Sequence, residues 1–218
     1  MKKVFNLIIV DESGSMESIR KPAFSGINET LQTILIESEK HEMEQRVSLM
    51  TFDDGHQTFI YDNVPAERAI PLVWNQYQPL GCTPLYDAIG KGISRINALT
   101  TPEDSVLVTI ITDGYENASR EFTLGMIKNL IEKLKKEHWT FTLIGTNDLD
   151  VEGMGDDLSI KAKFSFAKDE EGMRRMWKKE RAARRYYNHM NAQGIDFNED
   201  SYFNVDENGE FGDDAQQH

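Results

Sequence analysis

The chain has one cysteine, Cys82, among 218 residues. A lone thiol forms no disulfide within one chain, which excludes a disulfide-stapled scaffold. Basic residues are also short: 24 Lys and Arg stand against 37 Asp and Glu, a net charge of −13. That balance argues against nucleic acid or an anionic membrane as the main partner. It suits attraction of cations, and it equally suits plain solubility. No apolar run approaches the ~20 residues of a membrane span. Lys2 and Lys3 precede an apolar stretch, but it covers only Val4 to Val10, ends in Asp11 and has no small-residue cleavage site after it. A cytoplasmic location is therefore expected. The five histidines (His41, His56, His138, His189, His218) are scattered and read as surface or loop residues. There is no Gly-x-x-x-x-Gly-Lys-Ser/Thr phosphate loop and no internal repeat.

What is present is an alternation of strand and helix patterns. Val4–Val10 reads as a buried strand. A helix from Met16 to Glu39 follows, with Ile19, Phe24, Ile27, Leu31, Ile34 and Leu35 on the helical period. Val47–Phe52 and Gln57–Tyr61 read as strands joined by a hairpin at Asp54-Gly55. Pro65 and Pro71 punctuate a loop with a short helical turn. Pro84 opens a helix to Ala98. Val106–Ile111 is a nearly all-apolar strand, which suits a sheet covered on both faces. A helix over Phe122–His138, a strand over Trp139–Gly145 and a last edge strand over Lys161–Phe166 complete the pattern. The alternation predicts an α/β fold with three layers and a doubly wound, mostly parallel sheet carrying one antiparallel edge strand.

Three segments bring oxygen side chains to strand ends. Asp11-Glu12-Ser13-Gly14-Ser15 follows the first strand, Gly81-Cys82-Thr83-Pro84 precedes a helix, and Thr112-Asp113-Gly114 follows the apolar strand 106–111. Carboxyl ends of strands are where open α/β sheets place their crevices. Asp11, Ser13, Ser15, Thr83 and Asp113 together suit a hard divalent cation. The set Asp11-x-Ser13-x-Ser15, Thr83, Asp113 resembles the metal-ion-dependent adhesion site of von Willebrand factor A domains. The run Gly81–Ile89 resembles bacterial members in particular. The resemblance covers residues 1–166 as the domain, followed by a basic helix over 167–190 and an acidic tail over 191–218.

The resemblance implies that Ser13, Ser15 and Thr83 touch the metal directly. Asp11 would hold a metal-bound water and orient the serines, and Asp113 would bind directly or through water. Magnesium is the expected ion, with manganese or calcium as substitutes. Neutral hydroxyls leave the ion more electrophilic than a cage of carboxylates would, so a partner carboxylate can complete the shell. The expected role is therefore metal-dependent protein–protein recognition, with an unidentified partner supplying an acidic residue, no nucleic acid, no membrane and no catalysis. Two alternatives stand beside it. One is magnesium-dependent phosphotransfer or hydrolysis with Asp11 as nucleophile, for which Lys91 is the nearest candidate lysine. The other is a scaffold with a vestigial metal site whose basic helix docks the partner.

Loop residues Glu12, Met16, Glu17, Cys82, Tyr86, Tyr115, Glu116 and Asn117 are candidates for setting partner choice, Met16 and Tyr115 as an apolar rim. Asp87 either hydrogen-bonds the site loops or only favours its helix terminus. Residues 168–190 carry eight basic against four acidic residues, and 191–218 carry eight acids and no Lys or Arg. Opposite signs suggest that the tail folds back on the helix, or that one of its carboxylates reaches a metal site. Asn204-x-Asp206-x-Asn208-Gly209 resembles the start of an EF-hand loop, but Ala215 stands where a bidentate Glu is needed.

Overall fold

A computed structural model describes residues 3–41, 43–195 and 197–206. Six strands form one sheet in the order β3-β2-β1-β4-β5-β6. They are β1 (Lys3–Asp11), β2 (Glu44–Phe52), β3 (Gln57–Pro65), β4 (Ser105–Thr112), β5 (Trp139–Thr146) and β6 (Ala162–Phe166). All pairings are parallel except β2 with β3, so the antiparallel strand is an edge and β6 is the other edge. The expected α/β class and strand arrangement are what the chain forms. β4 and β5 are buried along their whole length, as strands covered on both faces must be. The β2–β3 turn is closed by Asp53, whose Oδ1 accepts from the backbone N–H of Gly55 and His56 at 2.6 and 2.7 Å.

Helices α1 (Arg20–His41), α2 (Leu85–Asn97), α3 (Leu124–Leu134), α4 (Val151–Asp157) and α5 (Glu170–Ala192) cover the sheet. Two large core clusters result. One joins α2 and α3 to a sheet face through Ile89, Ile93, Ile127 and Ile131. The other joins α1 and α5 to the opposite face through Ile27, Ile34, Met173 and Trp177. The predicted helix from Met16 is two elements: Gly14–Ile19 is a 3-10 turn, with Met16 N–H bonded to Ser13 O at 3.0 Å, and the α-helix begins only at Arg20. The tighter winding leaves the hydroxyl loop outside the α-helix. Helix α4 carried no sequence signal, because Gly153 and Gly155 are poor helix formers. Asp150 caps it by accepting from Gly153 N–H at 2.9 Å.

α5 lies in the same helical layer as α1. Gly26 of α1 makes room for it: a Cβ there would come within 2.0 Å of the Trp177 indole nitrogen. Further along, the fully buried Arg184 donates to Glu180 at 2.6 and 2.9 Å, to Asn6 Oδ1 of β1 at 2.6 Å and to Thr109 Oγ1 of β4 at 2.8 Å. The i, i+4 pair of a basic helix is thus turned inward and clamps α5 to two central strands. The tail folds back as well, but aromatic packing and other lysines hold it. Tyr202 and Val205 are buried beside Tyr187, with Phe197 packed against them. Glu199 pairs with Lys135 at 2.6 Å and Asp200 with Lys161 at 3.1 Å. The Lys179 ammonium also donates to the Val205 carbonyl. Most of the EF-hand-like segment, including Asn208, Gly209 and Ala215, lies outside the described residues, as does the rest of the acidic tail. No helix among the described residues is long and apolar enough to cross a membrane.

Removing one partner of a buried, hydrogen-bonded ion pair leaves an uncompensated charge. Arg184→Met is expected to cost about 3–5 kcal/mol in urea unfolding. The double variant Glu180→Leu/Arg184→Met should recover part of that loss. A single variant within about 0.5 kcal/mol of wild type would show that the clamp is not what seats α5.

Candidate metal centre

The register of the two central strands builds the site. β1 and β4 pair in parallel with Val10 opposite Ile111, so Asp11 and Thr112 come next, side by side. Asp11 Oδ2 accepts from the Thr112 hydroxyl at 2.6 Å, and Oδ1 accepts from Ser13 N–H at 2.7 Å. Ser13 and Ser15 hydroxyls lie 3.1 Å apart, and Ser15 donates to Asp113 Oδ1 at 2.5 Å. Thr83 is brought in by the third loop. Its backbone is pinned on both sides by Asn117, with N–H to Asn117 Oδ1 at 2.8 Å and carbonyl accepting from Asn117 N–H at 3.1 Å. A Cβ on Gly114 would sit 2.9 Å from Thr83 Oγ1 and 3.8 Å from Ser15 Oγ. The structure therefore brings Asp11, Ser13, Ser15, Thr83 and Asp113 to one place, and Gly114 leaves an open cradle between two of the hydroxyls.

The electrostatics of this place are demanding. Asp11 is fully buried, and the Asp113 side chain is inaccessible to solvent. Burial, and to a lesser degree the neighbouring Asp113 charge, pushes the Asp11 carboxyl up to about 6. Asp113 Oδ2 receives no hydrogen bond of good geometry and faces the Lys168 ammonium at 2.9 Å. Two buried carboxylates with one cation beside them and three hydroxyls around them fit a hard divalent ion. No group of three or more His, Cys, Asp or Glu side chains placed to hold a metal occurs among the described residues. The candidate set has only two acids, its other donors being hydroxyls.

The surrounding loops are held by acids acting as staples. Asp87 accepts from the backbone N–H groups of Arg120, Glu121 and Phe122 at 2.8, 2.9 and 2.8 Å. Burial opposes its charge, but these donors outweigh burial and hold its carboxyl below the usual range. Asp87 thus holds a site loop and is more than a helix-terminus charge. Glu116 plays a similar part toward Tyr86, Ala118 and Ser119.

Of the candidates for partner choice, Met16 is buried in the core and supplies no rim. Glu12 is buried too. It accepts from Gln78 N–H and lies 3.2 Å from His56 Nε2, while His56 Nδ1 lies 2.9 Å from Asp53. Asn117 holds Thr83. Glu17, Cys82 and Tyr115 remain exposed, Tyr115 with its hydroxyl accepting from Asp150 N–H at 2.9 Å. An exposed apolar side chain that the sequence did not single out is Leu80, 72% exposed, beside Gly81. It borders a groove of about 720 Å³ lined also by Glu12, Asp53, Asp54 and Ile60. Lys168 is the other residue missed. Sequence reading counts it among the charges of the basic helix, and nothing local marks its approach to Asp113.

Comparison with known proteins agrees with this architecture. No curated protein matches the sequence. Among solved structures, the SpRpn10 VWA domain is 11% identical, with a TM-score of 0.61, covering 82% of this chain and 95% of that one. The pilus adhesin SpaC from Lactobacillus rhamnosus GG is 13% identical, TM-score 0.63, covering 86% of this chain and 30% of that one. Proximal thread matrix protein 1 from the mussel byssus is 16% identical, TM-score 0.53, covering 81% of this chain and 44% of that one. The chain thus spans less than half the length of the last two proteins. At these identities the likeness is one of fold. The family model for the von Willebrand factor type A domain matches residues 7–195, and the chain belongs to that family.

Proposed function

We propose that Asp11, Ser13, Ser15, Thr83 and Asp113 form a metal-ion-dependent adhesion site that binds a partner protein through a divalent cation. Von Willebrand factor A domains commonly mediate protein–protein interaction. The observation that carries the reading is the meeting of two buried carboxylates with three hydroxyls at adjacent strand ends. Ser13, Ser15 and Thr83 would hold the ion directly. Asp11, fixed by Thr112 and the Ser13 amide, would orient the serines, and Asp113 would hold Ser15 and share the charge. A bound magnesium would supply a Lewis-acidic position open to a carboxylate of the partner. Manganese or calcium would substitute. Leu80 and Tyr115, exposed on the loops next to Gly81 and Gly114, would be available as apolar contacts for such a partner. The single cysteine and the bacterial-type Gly81–Ile89 run favour a bacterial cytoplasmic setting.

The same geometry disfavours phosphotransfer. Both Asp11 oxygens are hydrogen-bonded and buried, so neither is presented as a nucleophile. Lys91 pairs with Glu121 at 2.7 Å instead of serving the site. Lys168 is well placed, but the carboxylate it meets is Asp113, whose other oxygen is taken by Ser15. Part of the basic helix is turned inward, Lys179, Arg181 and Arg184 making contacts within the chain, while Arg174, Arg175, Lys178 and Arg185 are exposed and leave docking through that face as the second reading.

A pull-down from native lysate is expected to retain a partner with magnesium, to lose it with EDTA, and to lose it with Asp113→Ala. Retention indifferent to both would remove the adhesion reading. Asp113→Ala should weaken magnesium binding at least about tenfold while its unfolding midpoint stays near that of wild type. The pH dependence follows from Asp11. Its folded pKa is about 6 against an ordinary 3.8. Magnesium needs the ionised form, so affinity should be flat above pH 6 and fall about tenfold per pH unit below it. In EDTA the sign reverses for stability: the Asp11 contribution is full below its ordinary pKa and is lost as pH rises through about 6. Calorimetric titration across pH 5–8 checks the first, and unfolding in EDTA the second.

A further inference from the structure

We propose that Lys168 is a built-in second cation of this site, which weakens metal binding and strengthens binding of an anionic partner group. The inference rests on the adhesion-site reading above. Lys168 lies between β6 and α5, next to Asp169, which caps α5. Its ammonium sits 2.9 Å from Asp113 Oδ2, with side-chain exposures of 26% for the lysine and 0% for the aspartate. That oxygen has no hydrogen-bonding partner of good geometry. The other oxygen of Asp113 is occupied by Ser15. Lys168 therefore competes for the same carboxylate that a metal in the site would draw on.

Charge counting gives the consequence. Counting only the two candidate carboxylates and the ammonium that meets them, Asp11 and Asp113 contribute −2 when ionised and Lys168 contributes +1, with Asp148 and the buried Glu12 as further acids around them. The metal-free site thus carries −1 in place of −2, which eases the burial of two adjacent acids. A divalent cation brings the total to +1. Like-charge repulsion from the ammonium would lower affinity for an ion that draws on the same buried Asp113 carboxylate. Whatever the surrounding acids add, the loaded site is one unit more positive with Lys168 than without it, which favours an incoming carboxylate. Without Lys168 that unit is lost, and the ligand is attracted mainly by coordination. Lys168 is thus a specificity-determining residue: it trades metal retention for preference toward an anion.

The test is calorimetric titration of magnesium into wild type, Lys168→Met, Lys168→Gln and Lys168→Arg, each checked for folding by near-UV circular dichroism. The neutral variants are expected to bind magnesium about fivefold or more tightly than wild type, and Lys168→Arg to match wild type. With magnesium saturating, labelled acetate followed by NMR should bind the neutral variants several-fold more weakly. Magnesium binding by a neutral variant but not by wild type would support the same inference more strongly. Unchanged or weaker magnesium affinity in the neutral variants, with wild type binding normally, would overturn it and leave the adhesion site standing. Failure of wild type and all variants to bind magnesium would overturn both.

Discussion

Two carboxylates buried at the ends of adjacent parallel strands are the constraint on which the site depends. The β1–β4 register places Asp11 beside Thr112 and Asp113. Burial alone would drive Asp11 toward its neutral form, and its pKa of about 6 shows that pressure. Donors and positive charge answer that pressure at both acids: the Ser13 amide and Thr112 hydroxyl at Asp11, and the Ser15 hydroxyl and Lys168 ammonium at Asp113. Hydrogen bonds within the chain tie the loops to one another. Gly14 N–H is bonded to Gly81 O at 3.1 Å, and Tyr77 Oη donates to the Asp11 carbonyl at 2.8 Å. A preorganised set of this kind spares the ordering cost that a flexible loop would incur on binding.

The acidic composition takes on a more specific meaning in this setting. Asp53, Asp87 and Glu116 each accept two or more backbone N–H bonds in the loops around the crevice. Such carboxylates replace missing secondary-structure partners for turning backbone. Part of the −13 charge is therefore structural, and simple counting of acids cannot separate those staples from solvating surface charge.

Legibility followed the range of the interactions. Apolar runs revealed the central strands, because a strand covered on both faces needs no partner information to be recognised, whereas the partly exposed edge strands β3 and β6 were legible from shorter patterns, β3 with the hairpin signal at Asp54-Gly55 beside it. The meeting of Asp11, Ser13, Ser15, Thr83 and Asp113 was legible because their segments follow a strand or precede a helix. What stayed hidden was tertiary. Met16 looks like a rim residue in the sequence and is core, because the 3-10 turn rotates it inward. Lys168, Arg181 and Arg184 look like one solvated basic face. They point instead to Asp113, to Glu29 at 2.5 Å and to the buried Glu180, three destinations set by where α5 lies. Gly26 gave no hint that an indole would lie against it.

The most direct test of the account is a crystal structure grown with manganese and read by its anomalous signal. One anomalous peak within coordinating distance of Ser13, Ser15 and Thr83 Oγ atoms, with Asp11 and Asp113 around it, is the predicted result. A map with no peak there, or with manganese held elsewhere on the acidic surface, would contradict it.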